Sequence, residues 1–156
     1  MDSDSIAHIL GAEGAFALSV TNFQSRPSQV EMAEAIEAVI EDKQTLLAES
    51  GTGTGKTFAY LVPALLSGKK TLLSTGTKHL QEQLFHRDIP LVIKTLALRV
   101  KVSLLKGRSN YLCLHRLSLT RGGPRRLDKA QAAELEAIYQ WGSRSKDGDG
   151  GNLTEV

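Results

Sequence analysis

Within eight residues, Ser50-Gly51-Thr52-Gly53-Thr54-Gly55-Lys56-Thr57 places three glycines, four hydroxyls and a lysine. That combination has the chemistry of a phosphate cradle. Glycines reach backbone angles closed to other residues, so successive N–H groups can turn inward on an anion with no Cβ in the way. Lys56 then supplies a point charge for the outer phosphates, and the Thr57 hydroxyl is of the type that ligates the bridging magnesium ion. Ser50 stands where the strict pattern has glycine, a small enough side chain to be tolerated. The spacing predicts binding of ATP with magnesium. The competing reading is a glycine-rich turn that carries a surface lysine.

Further residues gain interest from this loop. Arg26 and Gln29 lie upstream of it. A side-chain amide such as that of Gln29 can pair with adenine as donor and acceptor at once. Downstream, Thr75-Gly76-Thr77 offers hydroxyls and N–H groups at the end of an apolar run; Thr77 is either a contact to a second phosphate-bearing ligand or simply a helix N-cap. Lys106-Gly107-Arg108-Ser109-Asn110-Tyr111 joins two cations to an aromatic, a composition suited to gripping phosphates with Lys106 and Arg108 and stacking a base on Tyr111. Cys113 follows at once, and by its apolar neighbours alone it reads as a small buried hydrophobe.

The elements needed to position these groups can be read from the pattern. Residues 45–48 and 71–75 are short apolar runs, and between them the loop leads into an apolar helix from Phe58. Strand, loop, helix and strand form a βαβ unit, which predicts a parallel sheet with a right-handed crossover. Residues 100–104 alternate like a third strand. The expected class is α/β, a P-loop NTPase of RecA-like type whose sheet is flanked by helices. A helix opening at residues 25–29, with Ser28 and Glu31 as a capping box and Met32, Ile36, Val39 and Ile40 as its apolar stripe, precedes the loop. Pro90 opens or breaks a helix at 91–98, and Asp128 caps a last one that Gly142 ends.

The charge is uneven. Residues 1–50 hold two basic and nine acidic side chains, whereas 99–126 hold eight basic and no acidic one. That stretch calls for an anionic partner, nucleic acid first, or is a solvated basic surface. A single cysteine excludes a disulfide within the chain. Met1-Asp2-Ser3-Asp4 is acidic where a secretory signal is basic, and no run approaches the roughly 18 apolar residues of a membrane span. A cytoplasmic protein with no membrane partner is expected.

Taken together, Arg26-Pro27-Ser28-Gln29, the loop 49–57, Ser74-Thr75-Gly76-Thr77 with the residues to Gln83, and Lys106 to Cys113 resemble, in order and spacing, the N-terminal motifs of DinG-like iron-sulfur DNA helicases of the XPD type. The resemblance covers about 20–117 and implies roles. Gln29, with Arg26, would recognise adenine; Ser50, Gly51, Thr52, Gly53, Thr54 and Gly55 would wrap the phosphates; Lys56 and Thr57 would be catalytic; Thr77 would touch single-stranded DNA. Cys113 would be one of four ligands to an iron-sulfur cluster that only the complete protein holds. The other three cysteines, the acidic metal partner and the second motor domain are not in this sequence. The implied layout is an N-terminal segment at 1–24, an incomplete first motor domain at 25–105, the start of a cluster insertion at 106–142 and a loop or disordered end at 143–156. The implied function is an ATP-dependent 5′-3′ DNA helicase acting on single-stranded or forked DNA in repair or replication, alongside proteins of those processes. Taken alone, this piece would bind nucleotide at most. The alternative is a non-catalytic module that docks DNA or protein through its basic stretch and keeps a vestigial loop.

Overall fold

The computed structural model describes residues 5–122 and 127–153. The acidic start 1–4 and the cations Arg125 and Arg126 of the basic stretch lie outside the described residues. The chain forms two compact units, Met1–Leu104 and Leu105–Val156.

In the first unit, Ser5 opens α1 (Ile6–Ile9) by accepting the His8 N–H at 3.2 Å, and α2 (Ala15–Ser19) follows. Ile6, Ile9, Leu10 and Phe16 are buried. Phe16 anchors this start to the rest, with its ring 5.1 Å from that of Phe58 and 5.6 Å from that of Phe23. The next helix, α3 (Pro27–Asp42), begins one residue earlier than its polar residues suggest. Proline is pre-shaped for the first helical position and has no N–H to leave unbonded there. Arg26 is therefore the N-cap and Ser28 already lies inside the helix, so the expected Ser28–Glu31 capping box does not form. The buried positions of α3 are Gln29 and Ala33, with Val30 and Met32 partly buried against the core. Helix α4 (Lys56–Leu66) packs on α3 and is apolar nearly all round, burying Ala59, Leu61, Val62 and Ala64. Such a helix belongs inside a core rather than on its surface.

The α/β expectation is overturned here. Among the described residues there is no strand and no sheet, only helices, turns and one isolated bridge, between Tyr111 and Asp149. Residues 45–54, 70–76 and 99–104 make no backbone–backbone hydrogen bond with any described residue, and Leu47 and Leu72 are 98% and 92% exposed. The reason is physical: an apolar run encodes an extended, buriable segment, but a parallel ladder exists only when a second segment supplies slanted bonds along its edge and cover for both faces. Among the described residues those runs have no such ladder partner, and of the 71–75 run only Leu73 packs against the core.

Thr77 caps α5 (Lys78–Gln83) by accepting the Leu80 N–H at 3.2 Å. The helix continues through a π-type turn, Leu84–Asp88, into α6 (Ile89–Thr95), which Pro90 opens in its first turn. Leu84, Ile89 and Val92 return the segment to the core.

In the second unit, a short 3₁₀ turn, Arg108–Asn110, precedes α7 (Leu114–Gly122) and α8 (Lys129–Arg144). Asp128 and Gln131 form a reciprocal capping box at the start of α8. Gly142 does not end that helix: α8 runs on to Arg144, and Gly142 gives room to the Leu112 side chain. Arg121 on α7 reaches Glu136 at 2.9 Å and lies 4.2 Å from the Tyr139 ring centre. No described helix is long and apolar enough to cross a membrane.

Candidate nucleotide site

The glycine loop is tied to the start of α3 by side chains, not by a sheet. Gln29 is 3% exposed, and its Nε2 donates to the Gly55 carbonyl at 2.8 Å. The Arg26 guanidinium donates to the Gly53 carbonyl. Gly53 and Gly55 have φ of 76° and 83°, the left-handed region that favours glycine. Gly55 has a second reason to be glycine, since a Cβ there would run into the Gln29 amide. Within the loop, the Ser50 and Thr54 hydroxyls lie 2.6 Å apart and Thr54 Oγ1 donates to the Gly51 carbonyl at 3.0 Å. Gly51 and Thr52 are exposed. The loop is thus a preformed turn whose carbonyls are held from one side by Arg26 and Gln29.

Lys56 opens α4 and folds back over the loop, its Nζ donating to the Ser50 carbonyl at 2.7 Å and to that of Gly51. Thr57 follows in the first turn of α4, half-buried. Burial pushes the Tyr60 phenol above its ordinary pKa, the Thr57 side chain opposes that, and the Asp88 carboxylate adds to it. Asp88, 3% exposed, is held by Gln83 Nε2 at 2.8 Å and Arg87 Nε at 2.8 Å. Sequence reasoning missed both residues. Tyr60 had a usable signal, three residues beyond Thr57 on the same helix face; Asp88 had none.

Gln29 leaves one atom unmatched. Its Oε1 is buried with no hydrogen-bond partner among the described residues. The amide cannot simply be turned over, because Oε1 would then face the Gly55 carbonyl, acceptor against acceptor. An orphaned acceptor beside a phosphate-type loop fits a ligand that brings an N–H, and the donor set around it fits a magnesium nucleotide: loop amides, Lys56 and the Thr57 hydroxyl.

Thr77 is exposed and engaged as an N-cap. In the second unit, Lys106 Nζ pairs with Asp149 Oδ2 at 2.6 Å, and the Lys106 N–H bonds to the Tyr111 hydroxyl at 2.8 Å. Arg108 is exposed. Cys113 is exposed rather than a buried hydrophobe. Among the described residues no three His, Cys, Asp or Glu side chains converge as metal ligands, so the residues present do not fit an iron-sulfur cluster.

The DEAD/DEAH box helicase family model matches residues 28–138, more than half of the chain. The chain belongs to the DEAD/DEAH box helicase family. The match takes in Gln29, the whole glycine loop, Thr77 and Cys113. Among curated helicases, the chain is 48% identical to the ATP-dependent DNA helicase YoaA of Haemophilus influenzae over 92% of its own length. It is 44% identical to YoaA of Escherichia coli over 88%, and 40% identical to the ATP-dependent helicase DinG of Mycobacterium tuberculosis over 66%. It spans 22% of the length of either YoaA and 17% of that DinG. No solved structure matches the chain.

Proposed function

We propose that this chain supplies the nucleotide-binding N-terminal portion of an ATP-dependent DNA helicase that moves 5′ to 3′ on single-stranded DNA and opens forks in repair or replication, and that on its own it binds ATP without productive turnover. The observation that carries this reading is the buried Gln29 amide, fixed to Gly55 by its nitrogen and left with an unmatched oxygen. Adenine presents an exocyclic N–H to such an acceptor, whereas guanine presents a carbonyl at the corresponding position. Gln29 therefore selects the base, and Arg26 holds the loop through Gly53. The loop amides and the first turn of α4 take the phosphates, with Lys56 released from the Ser50 and Gly51 carbonyls to meet them. Thr57 offers its hydroxyl to the metal ion. Bound magnesium would neutralise phosphate charge. Thr77, Arg108, Lys106 and Tyr111 are the proposed nucleic-acid contacts, and Cys113 the proposed cluster ligand of the complete protein.

Binding of labelled ATP and GTP to the parent chain and to Gln29→Ala tests the reading. Preference for ATP in the parent and its loss in the variant are expected; equal binding of both nucleotides by the parent contradicts it. One observation favours a non-catalytic docking module instead: Lys56 is satisfied by its own loop. That reading predicts salt-dependent DNA binding with no nucleotide effect.

A further inference from the structure

Ser50 is where the loop departs from the strict pattern, and its hydroxyl has a partner. Thr54 Oγ1 donates to the Gly51 carbonyl at 3.0 Å, and a hydroxyl carries a single proton. In the 2.6 Å contact between the two side chains, Ser50 Oγ is therefore the donor. The result is a directed relay from Ser50 to Thr54 to the Gly51 carbonyl, with both side chains half-buried and Gly51 exposed. The Gly51 carbonyl also accepts from Lys56 Nζ, so both of its lone pairs are taken. When Lys56 leaves for a phosphate, the Thr54 bond is the one that remains.

A trans peptide is planar, with its C=O and N–H pointing opposite ways. Holding one carbonyl thus fixes the N–H of the next residue on the other side. By this rule the Gly51 carbonyl sets the Thr52 N–H, just as Arg26 on the Gly53 carbonyl sets the Thr54 N–H and Gln29 on the Gly55 carbonyl sets that of Lys56. Neither Thr52 nor Thr54 donates its N–H to a backbone carbonyl of a described residue. Glycine peptides turn over readily, and a turned Gly51 peptide would show an anion a carbonyl in place of an N–H.

We propose that Ser50 and Thr54 are positioning residues for the phosphates: their relay keeps the Gly51 peptide from turning over once Lys56 has left it, so that the Thr52 N–H stays available to the bound anion. The inference rests on the nucleotide-binding function above. It gives the serine at position 50 a task that glycine could not perform there. It concerns the phosphates alone, not the base.

The test is displacement of a fluorescent ATP analogue by inorganic tripolyphosphate, ATP and GTP, all with magnesium. It compares the parent chain with Ser50→Ala, Thr54→Val, their double variant and Thr54→Ser. Circular-dichroism melting establishes folding, with Thr54→Ala in reserve should Thr54→Val not fold. Thr54→Val is expected to weaken tripolyphosphate binding about fivefold, the order of one hydrogen bond, and Ser50→Ala to weaken it by less. In the Thr54→Val background Ser50→Ala should add nothing, because its effect passes through the Thr54 hydroxyl. Thr54→Ser should restore the parent affinity. The ratio of ATP to GTP affinity should stay that of the parent in every variant, since Gln29 still holds Gly55. Parent-level tripolyphosphate binding by Thr54→Val overturns the proposal, as does a Thr54→Ser variant as weak as Thr54→Val, a further loss from Ser50→Ala in the Thr54→Val background, or a changed ATP-to-GTP ratio. If the folded parent chain binds neither the analogue nor tripolyphosphate, the nucleotide-binding function fails, and this inference with it.

Discussion

Gln29 and Gly55 fit one another in a single way: the amide nitrogen donates to the Gly55 carbonyl at 2.8 Å, and the missing Cβ of Gly55 is the space the amide occupies. Gly55→Ala would therefore strain a backbone at φ 83° and displace a buried side chain together. A left-handed non-glycine residue costs about 1–3 kcal/mol, and the lost hydrogen bond adds about 1 kcal/mol. Urea unfolding of Gly55→Ala is expected to show a loss of about 2–4 kcal/mol, with nucleotide binding abolished. A variant as stable as the parent would show that the contact does not constrain the loop.

Gln29→Met separates stability from recognition. Methionine matches the length of glutamine and removes both the Nε2 bond and the orphaned Oε1. Losing the bond costs about 1 kcal/mol, and relieving a buried unsatisfied oxygen returns about 1–3 kcal/mol. The melting midpoint should stay within a few degrees of the parent or rise, while preference for ATP over GTP disappears in competition binding.

These two residues also mark what could be read from the sequence. Local signals sufficed where one turn decides the outcome: Thr77 before α5, Asp128 before α8 and the glycine loop before α4. They misled where a neighbour in sequence outranked the pattern, as when Pro27 took the first helical position from the Ser28 capping box. They failed where the partner is remote. Apolar runs at 45–48 and 71–75 carry strand composition, but pairing belongs to two segments at once, and among the described residues neither has a mate. The bond from Gln29 to Gly55 spans 26 residues, and the Lys106–Asp149 pair spans 43. The buried Asp88 carries no periodic or motif signal and appears only when α6 folds onto α4.

The Lys106–Asp149 pair makes the second unit vulnerable to a single change. Its side chains are 9% and 11% exposed. Removing one partner of a buried pair costs about 3–5 kcal/mol. Lys106→Met should lower the stability of this unit by that order, and Lys106→Met with Asp149→Leu by much less. Fluorescence of Trp141, the one tryptophan of the chain and part of α8, follows the transition directly.

Thr77 has two separable roles. Thr77→Ala removes the 3.2 Å cap to Leu80 and should cost about 1 kcal/mol. Thr77→Asp keeps a capping oxygen and adds a negative charge where a phosphate is proposed to lie. If Thr77 touches DNA, Thr77→Asp weakens binding of a labelled single strand several-fold more than Thr77→Ala while melting higher. Equal DNA affinities would leave Thr77 as a cap alone.

The most direct measurement is calorimetric titration of the folded chain with magnesium ATP, beside Lys56→Ala. The nucleotide-site account predicts saturable binding by the parent and binding at least tenfold weaker in the variant, since Lys56 would exchange the Ser50 and Gly51 carbonyls for phosphate oxygens. A folded parent chain that gives no binding heat, or a variant that binds as tightly as the parent, would contradict it.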